Sequence, residues 1–329
     1  MNPELVVVIS LAMLFGFMNG MRDSSNIVAT MITSYAFRPQ TALAITAIAE
    51  FIGPFLFGVV VARTIGNDVV DANAISLSVI AACLIGAISW NLLTWFLGFP
   101  GSSSHALIGG LIGAVGVSGG FGAIKFYGLG KVLIALFALP AVSFGFGFII
   151  TRLIYFFSRN ATPRVNELFK KGQLFTAMAM ALSHGANDAQ KTMGIITLSL
   201  LIGGSITTFA IPTWVIISSA TGIALGTLFG GSQMIRTIGG RFYRIRPIHS
   251  FSAQFSSAII LLSASLLGMP VSTSHVVSSA IVGVGSSERP GKVRWSIVSE
   301  ILISWLVTIP FSALLSAGVY MLLLWISKH

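Results

Sequence analysis

Long apolar segments alternate with short polar loops along the whole chain. The segments cover 3–33, 40–64, 74–97, 101–118 and 128–157 in the first half, and 173–200, 211–231, 251–267, 271–285 and 295–326 in the second. Most approach or exceed the ~20 residues that an α-helix needs to cross a bilayer. The pattern predicts an all-α polytopic membrane protein. Because 101–118 and 271–285 are short and rich in small residues, we expect re-entrant or half-helices there.

Two of these segments are interrupted by polar stretches, 19–26 and 183–191. Asp23 lies in the first stretch and Asp188 in the second, with apolar residues on both sides. Ionisable groups at this depth are costly and normally face a pathway or a binding site. We therefore predict that both helices are broken at mid-membrane, where freed backbone groups and carboxylates would bind ions.

The second half repeats the polar landmarks of the first half in the same order. The residues 98–105 (GFPGSSSH) match 268–275 (GMPVSTSH), and 63–66 (RTIG) match 236–239. Each half contains five segments, an odd number, so the second half must start on the opposite side of the membrane. The sequence predicts two inverted-topology repeats, 1–157 and 173–329, joined by a cytoplasmic linker at 158–172.

Composition excludes a soluble domain and narrows the possible chemistry. The 329 residues are 55% hydrophobic and only 9% charged, with 35 glycines and a mean hydropathy of +0.91. Glycine at this level suits close helix packing in lipid. The single Cys83 excludes an intramolecular disulfide and a cysteine metal cluster.

The net charge of +10 reflects topology rather than nucleic-acid binding, because the basic residues concentrate in the loops on one side. The richer side carries Arg38, Arg152, Arg159, Arg164, Lys170, Lys171, Arg236, Arg241, Arg244, Arg246, Arg289, Lys292 and Arg294, and the other side Arg63, Lys125, Lys131 and Lys328. Since cytoplasmic loops are richer in lysine and arginine, we predict a multi-pass protein of the cell membrane with both termini outside.

The duplicated serine motifs are candidate anion sites. A proline after a glycine starts a new helix, so the following hydroxyls fall in its first turn, at Ser102, Ser103, Ser104, Ser272, Thr273 and Ser274. Hydroxyls and first-turn N–H groups suit a tetrahedral oxyanion. Simple helix capping by these serines is the alternative. His105 and His275, which end the two motifs, are candidate proton carriers or donors to the anion.

Carboxyl groups in the apolar segments are candidates for binding a coupling ion. Asp23, Asp188 and Glu50 are such groups, and a glutamate without a partner at this depth suits proton coupling or substrate access. Structural ion pairs, Asp23 with Arg22 and Asp188 with Lys191, are the alternative. No Walker loop, His-Glu-x-x-His or Gly-x-Ser-x-Gly motif is present in the sequence. These features favour transport driven by an ion gradient over an enzyme.

The same motifs resemble those of the inorganic phosphate transporter (Pit) family. The stretches 20–26 (GMRDSSN) and 185–191 (GANDAQK) resemble its duplicated signature, and the two serine motifs resemble its second duplicated element. Further similarity lies at 50–53, 230–239 and 305–310, so the resemblance covers nearly the whole chain. It implies phosphate import coupled to sodium or protons, in a homodimer.

Three positions depart from the family pattern. Arg22 and Lys191 stand where the two signatures usually carry asparagine, and Gln254 stands where many relatives carry glutamate. A fixed positive charge disfavours Na⁺ nearby and helps to neutralise phosphate. The form NDAQK also resembles the bacterial, proton-coupled branch. The two positive charges and the NDAQK form favour protons, whereas Gln254 removes one possible titrating group, and Asp23, Asn26 and Asp188 remain candidate sodium ligands.

The resulting hypothesis is a secondary transporter that imports inorganic phosphate, free or as a metal complex, by alternating access. A sulfate permease of the same fold and an anion channel are the alternatives, and no organic cofactor or nucleic acid is expected. The predicted substrate site comprises Ser102, Ser103, Ser104, Ser272, Thr273, Ser274, Asn187, Lys191 and Arg22. The predicted coupling site comprises Asp23, Asn26, Asp188 and Glu50, with His105, His184 and His275 as candidate proton relays.

Overall fold

A computed structural model describes residues 2–33, 36–99, 101–160, 162, 165–238, 246–293 and 295–328. These residues are almost entirely helical. The helices are α1 (Pro3–Thr33), α2 (Pro39–Phe57), α3 (Val60–Arg63), α4 (Leu77–Phe96), α5 (Ser103–Ser118), α6 (Phe126–Phe157), α7 (Val165–Ile202), α8 (Thr213–Ile238), α9 (Pro247–Leu266), α10 (Thr273–Glu288) and α11 (Trp295–Lys328). The predicted linker is therefore partly helical, since α7 already begins at Val165.

Among the residues that the structure describes, six helical stretches are long and apolar enough to cross a membrane, namely Pro3–Ile32, Pro39–Phe57, Leu77–Phe96, Phe126–Phe157, Thr213–Gly230 and Leu302–Lys328. The longest helix, α7, has 38 residues but carries polar side chains through its middle. These lengths and compositions confirm the predicted all-α polytopic membrane class.

The predicted breaks in α1 and α7 are wrong, because both helices run without interruption through their polar stretches. Neither stretch contains a proline, and alanine, glutamine and lysine in 186–191 favour a helix. The polar side chains can then be satisfied by neighbouring elements while the backbone keeps its own hydrogen bonds. Ion binding at these positions would therefore depend on side chains rather than on freed backbone groups.

A helix does break after α2, within the segment predicted at 40–64. Gly58 ends α2 with a φ of 76°, a conformation that glycine adopts without strain. The short α3 follows and leads into a π-helical turn at Thr64–Asp68. The Gln190 side-chain oxygen of α7 accepts hydrogen bonds from two N–H groups of α3, those of Val61 (2.8 Å) and Ala62 (3.3 Å).

The short segments predicted to be re-entrant each form one arm of a hairpin. α4 and α5 make the first hairpin, since a Cβ at Gly119, after α5, would lie 3.3 Å from the Ala74 carbonyl, before α4. α9 and α10 make the second, since Arg246, before α9, lies 3.4 Å from Glu288 at the end of α10. The tips turn at Gly98 (φ 68°) and Gly268 (φ 67°).

The ends of the two hairpins away from their tips lie at opposite ends of the helix bundle. The segment before α4 lies at the C-terminal end of α7, where a Cβ at Gly66 would come within 2.5 Å of Phe209. The start of α9 lies instead at the C-terminal end of α1, where the Ser250 hydroxyl donates to the Thr30 carbonyl (2.8 Å). The tips meet in the interior, where the Ser104 hydroxyl donates to the Val271 carbonyl (2.8 Å).

The long helix that follows each hairpin packs on the hairpin of the other half. In α6, Ser143 donates to the Val276 carbonyl of α10 (2.7 Å). In α11, Ala313 approaches so closely that a Cβ at Gly113 of α5 would lie 2.0 Å from its carbonyl oxygen. Small residues allow these close contacts, as is typical of helices in lipid. Each half therefore packs its long helix on the hairpin of the other half.

Candidate functional site

Polar side chains of α1 and α7 meet the two hairpin tips in the interior of the bundle. Asp23 of α1 accepts a hydrogen bond from Ser103 of the first hairpin (2.9 Å) and another from Ser274 of the second hairpin (2.5 Å). Both serines lie in the first turns of α5 and α10, as the sequence predicted. One carboxylate therefore ties the two halves together at the centre.

Among the predicted coupling residues whose side chains are described, Asp188 of α7 has the most contacts. Its Oδ1 lies 2.6 Å from the ammonium of Lys191. Its Oδ2 accepts from Asn19 (2.8 Å) and Thr273 (3.3 Å), and lies 3.3 Å from Nε2 of His184. The ion pair between Asp188 and Lys191, which the sequence offered as an alternative interpretation, is present. Both side chains are fully buried.

Lys191 also connects this ion pair to the second hairpin. Its ammonium donates to the Val271 carbonyl (2.7 Å), the same oxygen that accepts from Ser104. The void beside Lys191, bounded also by Ile65 and Pro270, is too narrow to admit a water molecule. The centre is closed in this conformation, so a solute could reach it only after the hairpins or neighbouring helices move.

Glu50 of α2 has partners, so the argument from a glutamate without a partner does not apply to it. Its Oε1 lies 2.7 Å from Nδ1 of His184, and its other oxygen accepts from the Thr227 hydroxyl of α8. His184 therefore stands between Glu50 and Asp188, with one ring nitrogen facing each carboxylate. Such a histidine can carry a proton between two carboxylates because either nitrogen can hold it.

The six hydroxyls of the serine motifs divide into two groups. Ser102 and Ser272 are helix caps that accept from the backbone N–H groups of His105 (3.2 Å) and His275 (3.4 Å), as the capping alternative required. The other four, Ser103, Ser104, Thr273 and Ser274, face the interior and donate to Asp23, Asp188 or the Val271 carbonyl.

Arg22 and Asn187 occupy equivalent positions in the two polar stretches, and each binds the hairpin of its own half. The Arg22 guanidinium donates to the backbone and side-chain oxygens of Asn91 in α4 (both 2.9 Å). The Asn187 side chain donates to Met269 O (3.1 Å) and accepts from Val271 N (3.2 Å) at the second tip. Arg22 therefore binds an arm of the first hairpin and Asn187 the tip of the second, and a role of either residue toward substrate stays a prediction.

The remaining histidines of the predicted relay, His105 and His275, contact each other. Their ring centroids are 4.7 Å apart, and His275 stacks on Trp305 at 3.9 Å. Nδ1 of His105 lies 2.8 Å from the Ser102 hydroxyl. A relay through this pair stays a prediction, as does sodium binding by Asn26, whose side chain lies outside the described part of the structure.

Sequence reasoning missed several residues that complete this centre. Asn19, Asn91, Gln190 and Thr227 are all buried and bonded to the residues or helices described above. A buried amide in an apolar helix was the available signal for Asn91, because such groups require a hydrogen-bond partner. Thr227 gave no comparable signal, since threonine can satisfy itself by donating to its own helix.

Comparisons with known proteins agree on one family. Residues 19–316 match the model of the phosphate transporter family. Two proteins each described as "Probable low-affinity inorganic phosphate transporter" are similar over 97% of this chain and 96% of their own length, at 41% identity in Rhizobium meliloti (strain 1021) and 40% in Bacillus subtilis (strain 168). Both relatives are named as transporters and neither as an enzyme.

A solved structure has the same fold. The chain matches "The sodium-dependent phosphate transporter" with a TM-score of 0.87 at 24% identity, over 97% of this chain and 98% of that one.

Proposed function

The chain belongs to the phosphate transporter family, and we propose that it is a secondary transporter that imports inorganic phosphate by alternating access, driven by protons rather than sodium. The observation that carries the choice of ion is the Lys191 ammonium, which lies 2.6 Å from Oδ1 of Asp188. This tethered cation occupies the position that a coupling Na⁺ would need at that carboxylate. A second cation there would meet strong repulsion at low dielectric.

The row of Glu50, His184 and Asp188 supports proton coupling. The ring nitrogens of His184 lie 2.7 and 3.3 Å from oxygens of the two carboxylates, so a proton can move along the row. This movement does not require sodium to be bound. Thr227 and Asn19 fix the outer oxygens of the two carboxylates. The row lies beside Lys191, and therefore beside the proposed anion site.

Phosphate would bind where the two hairpin tips meet. It would take over the hydroxyls of Ser103, Ser104, Thr273 and Ser274, with Lys191 neutralising its charge. Ser103 and Ser274 now donate to Asp23, and Thr273 donates to Asp188. Phosphate at these hydroxyls would repel the carboxylates by about 4 kcal/mol for unit charges at 4 Å, and proton uptake by the carboxylates would remove that repulsion. Proton and phosphate binding would in this way be coupled.

Alternating access follows if the two halves are inverted repeats. The opposed hairpins and the reciprocal packing of α6 on α10 and α11 on α5 support this relation. Tilting one hairpin with its packed helix would open the centre to one side while the other stays closed. We further propose that both termini lie outside the cell membrane, as the basic loops indicate, and that the protein is a homodimer, as the family resemblance implies.

Three other assignments remain testable alternatives. Sodium coupling is suggested by the name of the solved structure, whose likeness to this chain concerns the fold. Sulfate could use the same hydroxyl cradle but does not protonate at neutral pH. An anion channel would need an open path, whereas the centre is buried and Lys191 is 0% exposed.

Uptake of labelled phosphate by cells or vesicles that contain the transporter tests the proposal. We expect accumulation above the external concentration, abolished when the proton gradient is collapsed, and little competition by sulfate across pH. Equilibration without accumulation would indicate a channel. Strong inhibition by sulfate at every pH would indicate a sulfate permease, and either result would overturn the proposal.

A further inference from the structure

A groove of about 850 Å³ lies on the surface of the protein at the end of the bundle where α6 ends, and none of its lining residues belongs to the polar centre. It is formed by the last turns of α6, the start of α9 and the end of α10. Its walls combine basic and apolar side chains, namely Phe148, Ile149, Arg152, Leu153, Tyr155, Phe156, Arg246, Ser287, Glu288 and Arg289.

Positive charge predominates in this groove. Three arginines, Arg152, Arg246 and Arg289, line it together with one glutamate, Glu288. Glu288 lies 3.4 Å from Arg246 and 3.6 Å from buried His249. Its carboxylate therefore already has partners in the protein. Arg246 is 58% exposed, and Arg152 and Arg289 are exposed as well. The groove therefore presents guanidinium groups suited to a phosphate oxyanion.

An apolar stripe on α6 leads from the groove toward the middle of the membrane span. Val142, Phe146, Ile149, Leu153 and Phe156 follow helical spacing and are between 37% and 59% exposed. A different face of α6 packs on α10 through Ser143 and Gly147. The stripe therefore faces outward, where hydrocarbon would cover it.

We propose that this groove binds an anionic phospholipid, with the headgroup phosphate among Arg152, Arg246 and Arg289 and an acyl chain along the stripe. Basic groups at helix ends on the cytoplasmic side of a membrane protein are a recurrent setting for such headgroups. Free phosphate shares the headgroup chemistry but would gain nothing from the apolar stripe. The combination of three guanidinium groups with a lipid-facing stripe therefore favours the lipid.

Native mass spectrometry of the purified protein, titrated with phosphatidylglycerol or with phosphatidylcholine of the same acyl chains, tests this assignment. We expect preferential binding of phosphatidylglycerol. The double variant Arg152→Gln, Arg289→Gln should weaken it about 25-fold, given the usual contribution of a basic residue near an anionic headgroup. The matched control Lys171→Gln removes an exposed charge outside the groove and should leave binding unchanged.

Two further measurements complete the test, namely competition by inorganic phosphate and lipid binding by a second variant. Excess inorganic phosphate should fail to displace phosphatidylglycerol, and displacement would reassign the groove to the free anion. If the double variant does not fold, Glu288→Gln should tighten phosphatidylglycerol binding several-fold because it removes the glutamate of the groove. Equal binding of the two lipids, an unaffected double variant, or no gain with Glu288→Gln would overturn the proposal.

Discussion

Lys191 and Asp188 form a fully buried ion pair in the middle of α7. Removing one member of such a pair leaves a charge without compensation, at a cost of roughly 3–5 kcal/mol. The Lys191 ammonium is also bound to the Val271 carbonyl at the second hairpin tip. Whatever replaces this ammonium must therefore both neutralise Asp188 and reach the hairpin.

Replacing Lys191 by asparagine should make phosphate uptake depend on sodium. In Lys191→Asn, Asp188 loses its tethered cation, so phosphate uptake without sodium should fall at least about tenfold, and sodium should partly restore it by occupying the vacated position. Uptake measured with and without Na⁺ checks this expectation. Lys171→Asn, at an exposed lysine of the same helix, is the control. Undiminished, sodium-independent uptake by Lys191→Asn would contradict the assigned role.

Replacing Glu50 by glutamine should separate proton coupling from phosphate binding. Glu50→Gln retains an oxygen for the Thr227 hydroxyl but removes the carboxylate that faces His184. Net proton-driven uptake should fall to the level of empty liposomes, while exchange of internal for external phosphate persists. Glu167→Gln, at a carboxyl group that is 67% exposed, should behave like the wild type. Proton-driven accumulation by Glu50→Gln would exclude Glu50 from coupling.

Residue types and positions in the centre were largely predictable, but their partners were not. The sequence singled out Asp188, Lys191 and the serine motifs because polar groups are costly in apolar segments. It could not pair Glu50 with His184, since neither spacing nor composition indicates that α2 packs on α7. The capping role of Ser102 and Ser272 depends on backbone geometry that hydroxyl side chains alone do not specify.

At the scale of the elements, polar content was a poor guide to helix breaks. α1 and α7 stay continuous through their polar stretches, whereas the chain breaks at Gly58, in an apolar segment. Side chains of α1 and α7 find partners on the hairpins, so their backbones need no break. The positive φ at Gly58 is a backbone requirement that hydrophobic patterning does not reveal.

Close contact of α2 with α7 should depend on Gly53. A Cβ at this position would lie 2.1 Å from the Leu182 carbonyl oxygen and 2.9 Å from the Ala186 nitrogen. Overpacking of ~1–3 kcal/mol should lower the thermal midpoint of Gly53→Ala by roughly 2–10 °C, as measured by thermal unfolding in detergent. Gly145→Ala in α6, with nothing within 4 Å of its Cβ, should not lower it. Equal midpoints for both variants would contradict this packing.

At the scale of the whole molecule, the two hairpins leave the predicted orientation unchanged, and that orientation stays a prediction. Each hairpin returns to the end from which it enters, so the count that assigns the basic loops to one side still applies although α4, α5, α9 and α10 form hairpins rather than successive crossings. The short length of two segments predicted re-entrance, but their pairing into opposed hairpins required long-range contacts such as Ser104 with Val271.

Labelling of introduced cysteines tests the orientation. Cys83 is fully buried, so the native background should not react. Lys125→Cys, on the side of the termini, should react with an impermeant maleimide in intact cells, and Lys171→Cys only after permeabilisation. The reverse pattern would place both termini inside and invert the assignment of the basic loops.

Phosphate uptake by purified protein in proteoliposomes, under an imposed proton or sodium gradient, is the most direct test of the central claim. We predict that an inward proton gradient drives accumulation without sodium, because Lys191 already neutralises Asp188 and the row of Glu50, His184 and Asp188 can carry protons. A sodium gradient at equal pH should add little. Accumulation driven by sodium alone would contradict proton coupling, and no accumulation under either gradient would contradict phosphate transport itself.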